Sequence, residues 1–299
     1  MDSLIFDFKI KTFLTLCNTM NFTKAAQQLH ITQPAVSQHI KLLQEQLDVQ
    51  LFNYKGRQLT LTEAGMRLKT FTLSLQQDIN RFSNNLQNSE EQPLLCFGAT
   101  RTIGEFTLPP LLEKMIANKP QRKLSLYIDN TEILLEMLDT GKIDFAFIEG
   151  AFDKTSYSYR LFSHQNFIAI GSKEVQKRYP KAKLEQLFKE RLIIREKGSG
   201  TRKVLEQILS ERGLTTESFS HIDEIGNPNV IKYLVEQDKG ISFMYEEGAK
   251  EAIKEDKIVK LDIQGWQVIR EFNFVYPLYS HYEQQFLDFY NEIYSYYTH

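Results

Sequence analysis

The stretch Asn21-Phe22-Thr23-Lys24-Ala25-Ala26-Gln27-Gln28-Leu29-His30-Ile31-Thr32-Gln33-Pro34-Ala35-Val36-Ser37-Gln38-His39-Ile40-Lys41-Leu42-Leu43 reads as two short helices joined by a tight break. Asn21 and Thr23 are natural N-cap residues, and Ala25, Ala26 and Leu29 follow at helical spacing. His30 and Ile31 interrupt that pattern. Thr32 then caps a second run in which Pro34 sits in the first turn, where no donor is lost, and Val36, Ile40, Leu43 and Leu47 form the inner stripe. Such a pair is a helix-turn-helix, whose crossing point needs small side chains, so Ala25, Ala26, Leu29, Val36 and Leu43 are expected in its core.

Outward from this motif, Phe6, Ile10, Phe13, Leu14 and Leu16 recur at helical spacing before it. After it, Leu51 to Thr62 places Gly56 between two short strand-compatible runs, as a wing would. From Glu63 the pattern changes: Leu68, Thr72, Leu75, Ile79, Phe82 and Leu86 alternate spacings of four and three, a heptad seam with one polar position. The same seam fits an amphipathic helix packed on its own domain. Its length, and the polar run Asn84 to Gln92 closed by Pro93, favour a linker helix that pairs two chains.

Beyond Pro93, apolar strands alternate with helical segments: Leu94 to Gly98, Leu108 to Ala117, Leu124 to Asp129, Ile133 to Thr140 and Ile143 to Ile148. A second set comprises Phe167 to Gly171, Leu192 to Arg195, Lys203 to Arg212, Val230 to Gln237 and Ile241 to Met244, followed by an aromatic helix, Tyr282 to Tyr297. Repeated βαβ units predict a mainly parallel, doubly wound sheet. The chain is thus read as α/β overall. A winged helix-turn-helix occupies residues 1–62, a linker and dimerisation helix 63–92, and a regulatory domain 93–299, in which subdomain I takes 93–163 and 268–299 and subdomain II takes 164–267, crossing near Ser163 and Val268.

With 299 residues, 42% hydrophobic and 25% charged, the chain can bury more than one core. Its net charge of -2 does not announce nucleic acid, but the distribution is uneven. Residues 1–89 hold nine basic side chains (Lys9, Lys11, Lys24, Lys41, Lys55, Arg57, Arg67, Lys69, Arg81) against six acidic ones (Asp2, Asp7, Glu45, Asp48, Glu63, Asp78), which is +3 and leaves -5 elsewhere. That is permissive of a phosphate-facing module. Cys17 and Cys96 sit in no C-x-x-C or Cys/His pattern, so neither disulfide nor metal is expected, and any redox role stays open. His30 and His39 lack partners at metal spacing. The start of the chain lacks a secretory pattern and no apolar stretch approaches the roughly 18 to 20 residues that span a bilayer, so a cytoplasmic protein without membrane association is expected.

The quoted stretch, followed by Leu51-Phe52 and Leu61-Thr62-Glu63-Ala64-Gly65, resembles the LysR-type transcriptional regulators in order and spacing over some 60 positions. The chain departs from the pattern at Asn53-Tyr54, where the family usually has an acidic residue and Arg; Lys55 and Arg57 are available to replace the phosphate contact. The resemblance implies a dimerising linker helix, two Rossmann-like regulatory subdomains similar to periplasmic binding proteins, and a homotetramer on an interrupted palindrome of double-stranded DNA.

Major-groove reading needs short donors and acceptors near a helix N-terminus. Gln33, Pro34, Ala35, Ser37 and Gln38 supply them: Gln suits adenine, Ser either partner, and Pro34 or Ala35 a thymine methyl. Thr32 and Ser37 can instead hold phosphate, with Thr23, Lys24 and Lys41 fixing register. Arg57, beside Gly56, suits a minor groove or a phosphate.

Two loops, Ala99 to Gly104 and Arg195 to Arg202, each follow an expected strand and open an expected helix, where free N–H groups favour an anion. Thr100, Arg101 and Thr102 in the first, and Gly198, Ser199, Thr201 and Arg202 in the second, are the expected contacts of a small anionic effector. Ile148 and Glu149 end a third strand at the same rim; Glu149 can select a ligand ammonium or cap a helix. Both loops look similar to those of family members that respond to sulfur or carbon metabolites. Ser199 with His164 or His221 raises the alternative of an enzyme, but Gly198-Ser199-Gly200 is not a G-x-S-x-G elbow and there is no GxGxxG or P-loop. No catalytic residue, metal or cofactor is therefore expected. A solute-binding module is disfavoured by the attached DNA-reading head.

Overall fold

The computed structural model describes residues 7–55, 58–87 and 94–298, which fall into two compact units, 1–76 and 77–299. In the first, α1 (Phe8–Thr19), α2 (Phe22–Leu29) and α3 (Gln33–Leu47) precede a two-stranded ribbon, β1 (Phe52–Lys55) and β2 (Gln58–Leu61), paired from Phe52↔Leu61 to Lys55↔Gln58. Asn21 Oδ1 accepts from the Lys24 amide and Thr32 Oγ1 from the Ala35 amide, so the caps fall where the sequence places them. Of the two N-cap candidates before α2, Asn21 is the one used. Phe13, Leu16, Cys17, Ala25, Ala26, Val36, Ile40, Leu43, Leu51 and Phe52 share one buried cluster. Burying each of the large aliphatic or aromatic members stabilises the unit by about 1.5–3 kcal/mol.

The helix α4 (Glu63–Gln87) begins at a tight junction. Thr62 Oγ1 caps it by accepting from the Gly65 amide at 3.0 Å, while the Thr62 amide donates to Leu51 O at 3.0 Å. A Cβ on Gly65 would stand 2.1 Å from Leu51 O, which is why a residue of poor helix propensity stands in the first turn of the helix.

The second unit comprises β3 (Leu95–Thr100), α5 (Pro109–Asn118), β4 (Leu124–Asp129), α6 (Thr131–Asp139), β5 (Phe145–Glu149), β6 (Tyr157–Gly171), α7 (Lys173–Arg178), β7 (Arg191–Ile194), α8 (Gly200–Glu211), β8 (His221–Glu224), α9 (Pro228–Glu236), β9 (Ser242–Tyr245), α10 (Glu246–Lys254), β10 (Val259–Lys260), β11 (Ile269–Pro277) and α11 (Glu283–Thr298). β3 lies parallel between β4 and β5. β11 then pairs antiparallel with both β5 and β6. The far end of β6 leaves that sheet and pairs antiparallel with β9, from Phe167↔Tyr245, and with β10. β7 and β8 form a parallel pair, joined to the start of β9 by the Leu192↔Ile241 bridge.

The expected mainly parallel sheet is corrected by this arrangement: the parallel strands are flanked by β6 and β11, antiparallel to each other from Ile269↔Asn166 to Pro277↔Tyr157. The polar run His164-Gln165-Asn166 reads as a break in sequence but is carried across by backbone pairing to β11. The two strands connect two α/β subdomains, and one apolar cluster runs from Phe97, Phe145 and Phe289 through Phe272 to Phe167, Leu192 and Phe243. On one side the rings of Phe97, Phe145, Phe147, Phe274 and Phe289 pack together, with Phe145 centred 4.8 Å from Phe289 and 4.9 Å from Phe274. On the other, Ile168, Ile170, Ile193, Ile231, Val235 and Met244 cluster.

The last turns of α4 are anchored within this unit. Asp78 accepts from Ser280 Oγ at 2.7 Å and from the His281 amide at 2.8 Å, and the Gln77 side chain donates to Leu138 O. Arg81 forms an ion pair with Asp144, both largely buried, and its guanidinium covers the Tyr282 and Phe286 rings at 4.7 and 5.1 Å. Of the seam read along α4, Leu75 and Ile79 are half-buried and Phe82 is 56% exposed; the Leu86 side chain lies outside the described residues. No helix among the described residues is long and apolar enough to cross a membrane.

Candidate functional site

Two regions collect the residues singled out by the sequence. In the first unit, α3 presents Gln33, Pro34, Gln38 and Lys41 exposed and Ala35 and Ser37 half-exposed, with Thr32 exposed at its cap. Val36, Ile40 and Leu43 on the opposite face are buried, so the helix is fixed by its apolar side and free on its reading side. Gln33 Nε2 donates to Ser37 Oγ at 2.9 Å, which pre-orders both side chains one turn apart. Thr23 and Lys24 stand exposed at the start of α2. His39 Nδ1 lies 3.0 Å from Thr12 Oγ1 and its ring meets Phe8 edge-on, a structural role. Arg57 and Gly56 lie outside the described residues.

The second region lies in the 77–299 unit, where the C-terminal ends of β3 and β5 meet the start of α8. Glu149, 1% exposed, ends β5, and its Oε1 accepts from Thr201 Oγ1 at 2.6 Å across the subdomains. Beside it, Gly150 (φ +83°) packs on Gly200; a Cβ at Gly200 would lie 2.3 Å from Glu149 O and 2.7 Å from Thr131 Oγ1. Glycine is therefore required for this closed approach. Ser199 sits at the N-cap of α8 with its hydroxyl buried and unbonded, and Thr100 Oγ1, Glu149 Oε2 and Tyr245 Oη are also buried without a hydrogen-bond partner among the described residues. Burial pushes the Glu149 carboxyl up, opposed by the Thr102 and Thr201 hydroxyls, the Arg195 charge and the Thr100 hydroxyl. A small cavity of about 10 Å³, lined by Thr102, Phe106, Arg195, Thr201, Phe243 and Tyr245 among others, adjoins them. That is the room of about one water molecule, so a larger occupant needs the subdomains to part.

The structure thus brings together Thr100, Thr102, Glu149, Ser199 and Thr201, with Gly198 in the left-handed turn before the cap. Three expected contacts are placed otherwise. Ile148 is fully buried with Leu134, Leu138 and Val275, because alternate residues of a strand face opposite sides and Glu149 takes the cleft side. Arg202 turns away to Glu206 at 2.7 Å and to Glu224, bracing α8 on β8. Arg101 pairs with Asp129 at 3.4 Å beside the cleft. Tyr245 and Phe106 were not singled out in the sequence, and Arg195 was read only as the start of the second loop; Tyr245 follows the strand read over Ile241 to Met244 and so sits at a strand C-terminus, where cleft residues gather. Cys17 is buried with its thiol pushed up to about 12, and burial raises Cys96 too, so both stay protonated and poorly nucleophilic. Among the described residues no cluster of three or more His, Cys, Asp and Glu is placed to hold a metal ion.

Residues 9–66 match the family described as bacterial regulatory helix-turn-helix protein, lysR family, and residues 88–293 match the LysR substrate binding domain. The transcriptional activator CmpR of Synechocystis sp. is 32% identical over 276 residues, covering 90% of this chain and 88% of its own. Among solved structures, a mutant Corynebacterium glutamicum OxyR with bound H2O2 matches with a TM-score of 0.60 at 19% identity over 97% of this chain and 92% of that one. The CcmR regulatory domain of Synechocystis PCC6803, in complex with 2-PG, matches with a TM-score of 0.59 at 21% identity over 67% of this chain and 96% of that one.

Proposed function

This chain belongs to the LysR-type family of transcriptional regulators, and on that premise we propose that it reads an interrupted DNA palindrome through α3 under the control of a small anionic metabolite held in the cleft between its regulatory subdomains. The observation that carries the second half is the group of buried, unbonded polar atoms on Thr100, Glu149, Ser199 and Tyr245 at the N-terminus of α8. Buried polar atoms without partners are costly, and a ligand that bonds them removes the cost. The free amides and dipole of α8 add the preference for an anionic end. Gene regulation follows by linkage: an occupant favouring one subdomain angle shifts the population of that angle, and the Asp78 and Arg81 anchors carry the end of α4 with subdomain I.

The test is thermal denaturation of the full chain against a panel of small anionic metabolites. A ligand that binds only the folded state raises the melting temperature, and the rise should vanish in Ser199→Ala. Absence of any shift across the panel contradicts the cleft as the effector site.

For the reading head, Gln33→Ala should cost about 1–3 kcal/mol at one base pair and relax the preference there, whereas Lys41→Ala should weaken binding to all sequences alike and reduce the salt slope by about one. Fluorescence anisotropy over a salt series separates the two; equal loss on cognate and random duplexes for Gln33→Ala would remove it from base reading.

Assembly as a homotetramer, one pairing along α4 and a second between regulatory domains, is supported by exposed apolar side chains at two sheet edges. Tyr127 and Ile128 on β4 and Ile133 on α6 form one set, and Ile222 on β8 with Val230 and Tyr233 on α9 forms the other. A two-fold axis that sets one edge against the other buries both patches twice. Tyr233→Glu should accordingly convert tetramers to dimers in sedimentation velocity, and an unchanged tetramer would exclude this face.

A further inference from the structure

Resting on the cleft as the effector site, we propose that Glu149 sets ligand specificity: the effector carries a hydrogen-bond donor, a hydroxyl, ammonium or acidic O–H, close to the anionic group held by α8. The charges around the cleft argue this. Arg195 is engaged by Glu196 through two bonds of 2.7 and 2.9 Å. Arg202 is engaged by Glu206 and Glu224, and Arg101 by Asp129. The ammonium of Lys232 donates to Gly248 O at 2.8 Å and lies 4.1 Å from the centre of the Phe106 ring. Three of these four cations are thus spent on carboxylates and only Lys232, bonded to a carbonyl and a ring, keeps its charge, which leaves little to offset a second negative group set against Glu149.

When ionised the carboxylate only accepts; Thr201 fills Oε1, while Oε2 has the Thr102 and Thr100 hydroxyls near it but no hydrogen bond of full geometry, so it can take a donor from the ligand. The hydroxyls of Thr100, Ser199 and Tyr245 can turn either way, so they adapt to the rest of the ligand. A fully ionised oxyanion would set like charges together in a buried site, whereas a ligand with an O–H or N–H satisfies Oε2. Discrimination of this kind, built on a buried group that must be bonded, is steeper than discrimination by size.

Inorganic phosphate, which keeps a proton near neutral pH, against sulfate, which does not, and glycolate against acetate are matched probes. Isothermal titration of the full chain should show phosphate and glycolate binding at least roughly tenfold more tightly than their partners. Glu149→Gln, whose amide both donates and accepts, should erase that preference without abolishing binding. Equal affinity for phosphate and sulfate in the wild-type chain, or a preference that survives in Glu149→Gln, overturns the proposal. Binding of all probes that is untouched by Ser199→Ala and Thr201→Ala overturns instead the placement of the effector in this cleft.

Discussion

Gly200→Ala is expected to hold the regulatory subdomains apart and abolish the response to effector. The added methyl would sit 2.3 Å from Glu149 O, well inside van der Waals distance, and backbone occupies that space. Relief requires α8 to withdraw from the end of β5 by about 1 Å at the contact, and a tightly packed interior passes that shift on to the far edges of the subdomains. The Thr201 to Glu149 bond breaks with it. Hydrogen exchange of the first amides of α8 should therefore accelerate, and melting should show the loss of about 1–3 kcal/mol usual for overpacking. Unchanged exchange there, with an undiminished ligand shift, would mean that closure across Gly150 and Gly200 has no regulatory part.

Arg81→Ala is expected to destabilise the 77–299 unit by about 3–5 kcal/mol at neutral pH, because it leaves Asp144 as a buried charge without its partner and uncovers Tyr282 and Phe286. The effect has a pH signature. Burial already pushes the Asp144 carboxyl up, and Arg81 pulls it back. Without Arg81 the folded-state carboxyl rises further above its unfolded value, so stability is retained at low pH, where it is protonated, and is lost as pH rises through that raised value. Urea denaturation at pH 5 and pH 7.5 should show the smaller deficit at pH 5. A deficit equal at both would assign the loss to packing alone. Pairing Arg81→Met with Asp144→Asn should restore much of the stability while loosening the register of α4 on subdomain I.

The reading head was legible because its signals are local. Caps at Asn21 and Thr32, Pro34 in a first turn and Val36, Ile40 and Leu43 of the stripe each act within one or two helical turns; Leu47, read into the same stripe, is 45% exposed at the helix end, and Leu29, expected in the core, is half-buried. The reason for Gly65 is not local, since the contact that requires it, Leu51 O, lies fourteen residues back along the chain. The two loops of the cleft were visible as strand-to-helix junctions, but not which side chains enter it. Arg202 resembled an anion contact until its carboxylate partners, one of them on β8, were in place. Ile148 followed from assigning a whole strand end to the rim, when alternation admits only Glu149. The crossings were placed near Ser163 and Val268, but the strands that make them were not read: the β6 run Ser163 to Asn166 is polar, and the aromatic alternation Phe272, Phe274, Tyr276 on β11 was passed over.

If cleft closure governs how the paired reading heads meet DNA, bend angle and footprint on a duplex selected by the protein from a random pool should differ between the wild-type chain and Gly200→Ala. The same half-site sequences are expected, since α3 is untouched, with an altered bend and altered protection between the half-sites. Identical bend and footprint for the two chains would contradict it.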